Sequence, residues 1–357
     1  MESVAIRIVP CFLQEECLRN RLIVAALILS AASAHAQANR SAAPPTIQST
    51  ANLVLVPTLV QSPSGELVET LRASDFRLTD NGVEQKIAIE PIERQPLAVV
   101  VLMQTGGAAS RQFGYYAKLG TMLDYMMGSS SHRVALLTFD SQPETVTDFT
   151  ANVDSLKDEL AHPQRGDGGA AILDAVNAGI NQLKQQPPDR RRILILFSQP
   201  QDDGSSAHVE DVVRQLGENN VTIYSVTFSP ETTWLKDQFT KERHENAPYQ
   251  ISPDQPPLLH TFDLGTPLGV ALKAMRTNAA ASVASLSGGE SVTFGDQQDL
   301  DRQLAILANH IPNRYMLSFR PTSDRAGFHA LVVRIPSQPA LQVAARTSYW
   351  VMAAPGR

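Results

Sequence analysis

Cysteine is almost missing from this chain. There are two, Cys11 and Cys17, and both precede the small-x-small motif Ala34-His35-Ala36. A chain cut at that motif holds no thiol, which excludes disulfides, thiolate metal ligands and a cysteine nucleophile. Basic charge is also short: 30 Lys and Arg stand against 36 Asp and Glu, a net charge of −6. That excludes the basic surface a nucleic acid needs and the polybasic run that anionic lipids attract. Gly-x-Ser-x-Gly and His-Glu-x-x-His are both absent. The histidines beyond that motif, including His132, His162, His208, His244 and His260, are scattered, without metal-ligand spacing. No catalytic constellation is visible, so the sequence reads as non-enzymatic.

The hydrophobic fraction, 43%, supports a packed core. The apolar run Leu22–Ala34 follows Arg19 and Arg21. It is shorter than the about 20 apolar residues a membrane span needs, and it ends at the cleavage motif. Residues 1–36 are therefore expected to be a signal peptide and 37–50, rich in Ala, Ser and Pro, a linker. The expected product is exported, periplasmic or extracellular, with no membrane span after cleavage.

Beyond the linker, residues 51–95 alternate as short strands, with a hairpin signal at Asp80-Asn-Gly82. From Pro96 the pattern changes. Val99–Met103 is a continuous apolar strand, as in a parallel sheet buried on both faces. A helix is expected over Ser110–Met127, then strands at Val134–Phe139 and Val146–Phe149, and a helix over Ile172–Leu183. Ile193–Phe197, His208–Leu216 and Val221–Phe228 continue the alternation as strand, helix and strand. One helix is expected over Leu268–Leu286, stopped by Gly288-Gly289, and another over Asp299–His310. The rhythm predicts an α/β fold with a doubly wound, mostly parallel sheet over 96–312. Prolines 230, 248, 253, 256 and 257 interrupt it and predict a long surface loop over 229–266. Residues 313–352 return to strands, and the two flanking β segments are expected to pack as one small sandwich.

The stretch Pro96-Leu-Ala-Val-Val-Val-Leu-Met-Gln-Thr-Gly-Gly-Ala-Ala-Ser110 resembles the opening strand and turn of a von Willebrand factor A domain. The flanks extend the likeness. Asn52-Leu-Val-Leu-Val-Pro57, Asp75-Phe76, Asp80-Asn-Gly-Val-Glu-Gln-Lys86 and Tyr315-Met-Leu-Ser-Phe-Arg-Pro321 resemble the acidobacterial type of A-domain protein. In that family the turn carries Asp-x-Ser-x-Ser, the start of a metal-ion-dependent adhesion site. The resemblance puts Gln104, Gly106 and Ala108 in those places, Ala170 in place of the family's Thr, and Gln199 in place of its second Asp. The degenerate set offers two neutral amides and three side chains without oxygen. Mg²⁺ dehydrates reluctantly and needs charged oxygen ligands, so no metal or other cofactor is expected.

Small, neutral residues at these positions imply a flat, uncharged crevice for a protein partner. Gln104, Thr105 and Gln199 are the candidate contacts there, with Trp234 and Tyr249 as anchors on the Pro-rich loop. Folding of those aromatics back onto the core is the competing reading. Gly106-Gly107 reads as a tight strand-to-helix turn, lacking the elements of a phosphate loop. Two alternatives stay open for function. One is a metal-dependent adhesion module with an offset Mg²⁺ or Ca²⁺ site on Asp167, Asp202 or Asp203. The other is a structural subunit of a cell-envelope complex.

Overall fold

A computed structural model describes residues 53–91, 95–127, 131–228 and 266–353. The signal segment, the linker, Trp234, Tyr249 and nearly all of the Pro-rich loop lie outside the described residues.

The early strands are β1 (Val54–Gln61), β2 (Arg77–Asp80), β3 (Val83–Gln85), β4 (Ile87–Glu90) and β5 (Leu97–Gln104). Next come β6 (His132–Phe139), β7 (Pro143–Thr150), β8 (Arg191–Ser198), β9 (Val221–Phe228) and β10 (Ser291–Phe294). The last are β11 (Tyr315–Phe319), β12 (Gly327–Arg334), β13 (Gln342–Ala345) and β14 (Ser348–Val351). The helices are α1 (Leu119–Met127), α2 (Asp154–Ala161), α3 (Ile172–Lys184), α4 (Val209–Glu218), α5 (Thr266–Thr277), α6 (Ala279–Ser287) and α7 (Gln297–His310).

Every residue of β5 is buried, because the strand lies inside a six-stranded sheet ordered β10-β9-β8-β5-β6-β7. Its neighbours β6 and β8 run parallel to it, and only the edge strand β7 is antiparallel. Alternate side chains feed two cores. Val99, Val101 and Met103 pack with α1, α2 and α7; Ala98, Val100 and Leu102 pack with α3, α4, α5 and α6. That is the doubly wound α/β arrangement expected from the alternation of strands and helices.

The flanks interleave. One sheet runs β13-β1-β11-β4 and the other β14-β12-β2-β3, so each mixes strands from before and after the α/β domain. Val56, Leu78, Leu317, Phe319, Leu331 and Tyr349 share one core between the two sheets. Asn81 and Gly82, at φ 47° and 82°, form the two-residue turn between β2 and β3 that Asp80-Asn-Gly82 signals.

Two local expectations are corrected, and two elements are added. The stretch read as a helix from Ser110 to Met127 is helical in the α sense only over α1. Before it run two 3-10 segments, Gly107–Arg111 and Phe113–Lys118. Glycines at 106, 107 and 114 disfavour an α-helix there, and the three-residue repeat sets Phe113 beside Tyr116, ring centroids 6.1 Å apart. The single helix read over Leu268–Leu286 is two, split where the Asn278 side chain caps α6 by accepting from Ala281 N at 2.9 Å. Helix α2 and strand β10 are the added elements; β10 is only four residues long and mixes Ser and Thr with apolar positions, a weak strand signal.

Arg346 binds the two parts together. Its buried guanidinium donates from Nε to Ser348 O (2.7 Å), from Nη1 to Leu55 O (3.1 Å) and Asn220 Oδ1 (2.9 Å), and from Nη2 to Leu216 O (3.2 Å) and Gly217 O (2.8 Å). Leu216 and Gly217 close α4, where unpaired carbonyls favour a cation. Burial pushes the Arg346 pKa down to about 10, which leaves it charged at neutral pH. Arg314, also buried, donates to Gly288 O at 2.7 Å, pairs with Glu290 and lies over the Tyr224 ring at 5.3 Å. Burial alone would raise the Glu290 pKa, but Arg314 and His310 outweigh it and hold the carboxylate below its usual range.

Arg346→Met should cost about 3 kcal/mol or more, because several buried carbonyls lose their donor together. Arg346→Lys should recover little, since one ammonium cannot span those acceptors. Guanidinium denaturation midpoints check this; a loss below about 1 kcal/mol for the Met variant would contradict it.

Candidate functional site

The loops at the carboxyl ends of β5, β6 and β8 meet where open α/β sheets place their ligands. Gln104 ends β5 fully buried, at 0% exposure. Its carboxamide is saturated by protein: Nε2 donates to Gly106 O (3.1 Å) and Gln199 Oε1 (3.3 Å), and Oε1 accepts from Gln199 N (2.8 Å). Gln199 donates in turn to Gln201 O at 3.0 Å. The two glutamines form an amide clasp between the ends of β5 and β8.

A second loop closes over the clasp. Gly107, at φ 56°, donates to Asp167 O (2.8 Å), and Gly166 N donates to Thr105 O (3.1 Å). A Cβ built on Gly106 would lie 2.1 Å from Gly169 O, and one on Gly169 would lie 2.3 Å from Ser141 Oγ. Both positions demand glycine because backbone from another loop occupies the side-chain volume. Ala170 is buried and exchanges both backbone hydrogen bonds with Asp203, each at 2.9 Å. Ala108 alone of the three small residues is half-buried rather than enclosed.

The flat crevice expected from these residues is therefore filled. Gln104 and Thr105, named as partner contacts, are buried and offer almost no surface; Gln199 is partly exposed. Side-chain size alone implies a crevice, but the space beside Gly106 and Gly107 is taken up by the backbone of Gly168 and Gly169.

The acidic residues brace this closure. Asp167 Oδ1 accepts from Gly169 N (2.8 Å) and Ser141 N (3.1 Å). These hydrogen bonds, the Gly169 one foremost, hold its carboxyl below the usual carboxylate range. Asp202 Oδ1 accepts from Leu173 N (3.0 Å) and Ser205 Oγ (2.6 Å), capping the start of α3. Asp203 contributes its backbone bridge to Ala170. Asp174, whose sequence position suggests a bond within its own helix, reaches out instead to Ser206 N and Ala207 N, both at 2.8 Å. Asp140, at the end of β6, accepts from Asp167 N and Gln142 N, each at 3.1 Å. Its placement at a strand end was legible; its role as the hub between two loops was not.

Among the described residues no group of three or more His, Cys, Asp or Glu converges as a metal site. Three of the five adhesion-site positions have no side-chain oxygen, and the two amides are committed to one another. The residues present do not fit a hard divalent cation in the usual place.

The von Willebrand factor type A domain family matches residues 116–252. The chain contains a von Willebrand factor A domain. The match starts downstream of β5, so Gln104, Gly106 and Ala108 precede it while Ala170 and Gln199 fall within it. The six-stranded sheet and its flanking helices run through both stretches. An aerotolerance-related membrane protein from Bacteroides fragilis is similar over 60% of this chain and 98% of its own, at 12% identity and TM-score 0.38. The PilB minor pilin from Streptococcus sanguinis is similar over 63% of each chain, at 11% identity and TM-score 0.39. Proximal thread matrix protein 1 from the mussel byssus is similar over 64% of this chain and 49% of its own, at 11% identity and TM-score 0.41. At these values the likeness is one of outline and assigns no function. No curated protein matches the chain. Among the described residues, no helix is long and apolar enough to cross a membrane.

Gly106→Ala should destabilise the A domain by about 2 kcal/mol or more through overpacking against Gly169 O. Ala108→Ser, at a half-buried position, should cost less than about 1 kcal/mol. Urea denaturation of the two variants tests the enclosed geometry, and equal costs would contradict it.

Proposed function

We propose that this chain is an exported, non-enzymatic protein-interaction module whose A domain binds its protein partner without a metal ion. The amide clasp of Gln104 and Gln199 is the observation that carries the proposal. It occupies the ends of β5 and β8 with neutral, mutually satisfied groups, so no vacancy of charge or coordination remains for a bridging cation. The presence of an A domain supports an interaction role.

The contact surface is the rim of the closed loops: Ser141, Gln142, Gln201 and Asp203, all exposed. These residues present hydrogen-bonding groups on backbone that Asp140, Asp167 and Asp202 hold in place. Such a rim needs little ordering on association, and this lowers the entropic cost of binding. The apolar run and cleavage motif at residues 22–36 support export.

A photo-activatable amino acid at Gln201 tests the surface, with one at exposed Asp189, in the loop that enters β8 at the opposite edge of the sheet, as control. The Gln201 probe should trap the same partner in EDTA and in millimolar Mg²⁺, and the control should trap none. Trapping that needs Mg²⁺, or that is equal at both positions, would contradict the proposal.

A further inference from the structure

Away from the A domain, the sandwich buries three polar side chains that the proposed function does not use. His329 on β12 lies directly across from Tyr349 on β14, ring centroids 4.7 Å apart. Asp80, at the end of β2, faces both. The Asp80 carboxylate accepts from His329 Nδ1 at 2.8 Å through Oδ1 and from the Tyr349 hydroxyl at 2.6 Å through Oδ2. His329 Nε2 lies 2.7 Å from the backbone oxygen of Arg325. All three side chains are within 3% exposure, and the Phe319 ring from the second sheet seals Tyr349 edge-on at 5.7 Å.

The protonation state follows from the partners. A carboxylate oxygen and a backbone carbonyl can only accept, so the two short contacts of His329 each require a hydrogen on the ring. Only the imidazolium has both. The remaining neighbours of Nδ1 are the Tyr349 hydroxyl at 3.0 Å, whose proton is taken by Asp80, and Asn81 Nδ2 at 3.3 Å. The Asn81 amide is oriented by Ala330 N, which donates to its Oδ1 at 3.0 Å. That contact of Asn81 with the ring is longer than the two it competes with, and does not displace them.

We infer that Asp80, His329 and Tyr349 form a proton-dependent clasp that closes one end of the sandwich, engaged while His329 is an imidazolium and weakened when it becomes neutral. On deprotonation either Asp80 or the Arg325 carbonyl loses its donor inside the core. The charges facing the clasp are Asp80 from β2, Arg325 from the loop before β12, and Arg346 from the turn before β14, which acts on Tyr349. Burial and the Arg325 charge lower the His329 pKa, but the bonds to Asp80 and the Arg325 carbonyl outweigh them and raise it. Tyr349 is raised by burial and by Asp80, so it stays a phenol and a donor. The sign is that of a base with an elevated folded pKa. The contribution is complete below the unfolded value of about 6.5 and disappears as pH rises through the higher folded value. The clasp's contribution to the sandwich is thus full in mild acid and fades toward alkaline pH.

Nitrogen-15 NMR of the histidine rings in the wild-type protein tests this without any substitution. The His329 ring, identified by its contacts to Tyr349, should show two protonated nitrogens in most of the population at about pH 6.5, where a free histidine is half protonated. A neutral, single-tautomer ring at about pH 6.5 would overturn the inference. As a second readout, the Tm of the wild type should fall by about 2–4 °C more between about pH 6 and pH 9 than that of His329→Gln. Equal pH slopes in the two proteins would also overturn it. Where the variant does not fold, the wild-type ring spectrum alone decides.

Discussion

A guanidinium with no carboxylate partner holds this fold together. Arg346 satisfies its donors with carbonyls from β1, from the end of α4 and from β14, and with the Asn220 side chain. Removing a charge from water costs several kcal/mol unless each donor is met. Here the requirement is met only when the sandwich and the α/β domain are docked as they are. Trp350 reinforces the arrangement: a Cβ on Gly217 would stand 2.6 Å from that of Trp350, so the last turn of α4 must be bare. Together with Arg314 and Glu290, this junction fixes the amino-terminal edge of the parallel sheet to the flanking strands.

The opposite edge carries the candidate site, and it follows a different logic. Its residues are few in charge and rich in backbone. The Gln104–Gln199 clasp, the Ala170–Asp203 bridge and the glycines at 106, 166 and 169 let three loops meet at backbone distance. Of the acids that the sequence offers as alternative ligands, Asp167 and Asp202 brace loops through their carboxylates, and Asp203 takes part through its backbone. A metal site needs oxygens that are uncommitted and convergent. In this molecule the carboxylates of Asp167 and Asp202 are committed to backbone amides and, for Asp202, to the Ser205 hydroxyl.

Much of the fold was legible beforehand. The unbroken apolar run of β5 and the alternation of strands and helices announce a doubly wound sheet, and Asn81-Gly82 announces its hairpin. What was not legible depends on partners far away in sequence. Asn278 splits a helix because its side chain caps the next one. Residues 113–118 adopt the tighter helix because Phe113 and Tyr116 both need the core. The five substituted positions could be read as lacking ligands, since that is a matter of side-chain chemistry. That their space is filled rather than open could not, because the filler is the backbone of residues 166–170, and backbone leaves no compositional trace. Arg314, Glu290 and Arg346 were likewise silent, as burial of a lone charged residue has no local signature.

A closed amide clasp stands where a cation would sit. Isothermal titration of the folded protein with Mg²⁺, Mn²⁺ and Ca²⁺ addresses it most directly. No saturable heat is expected up to millimolar metal, and no change on Asp167→Asn or Asp202→Asn. Stoichiometric binding in the micromolar range that either substitution abolishes would contradict it.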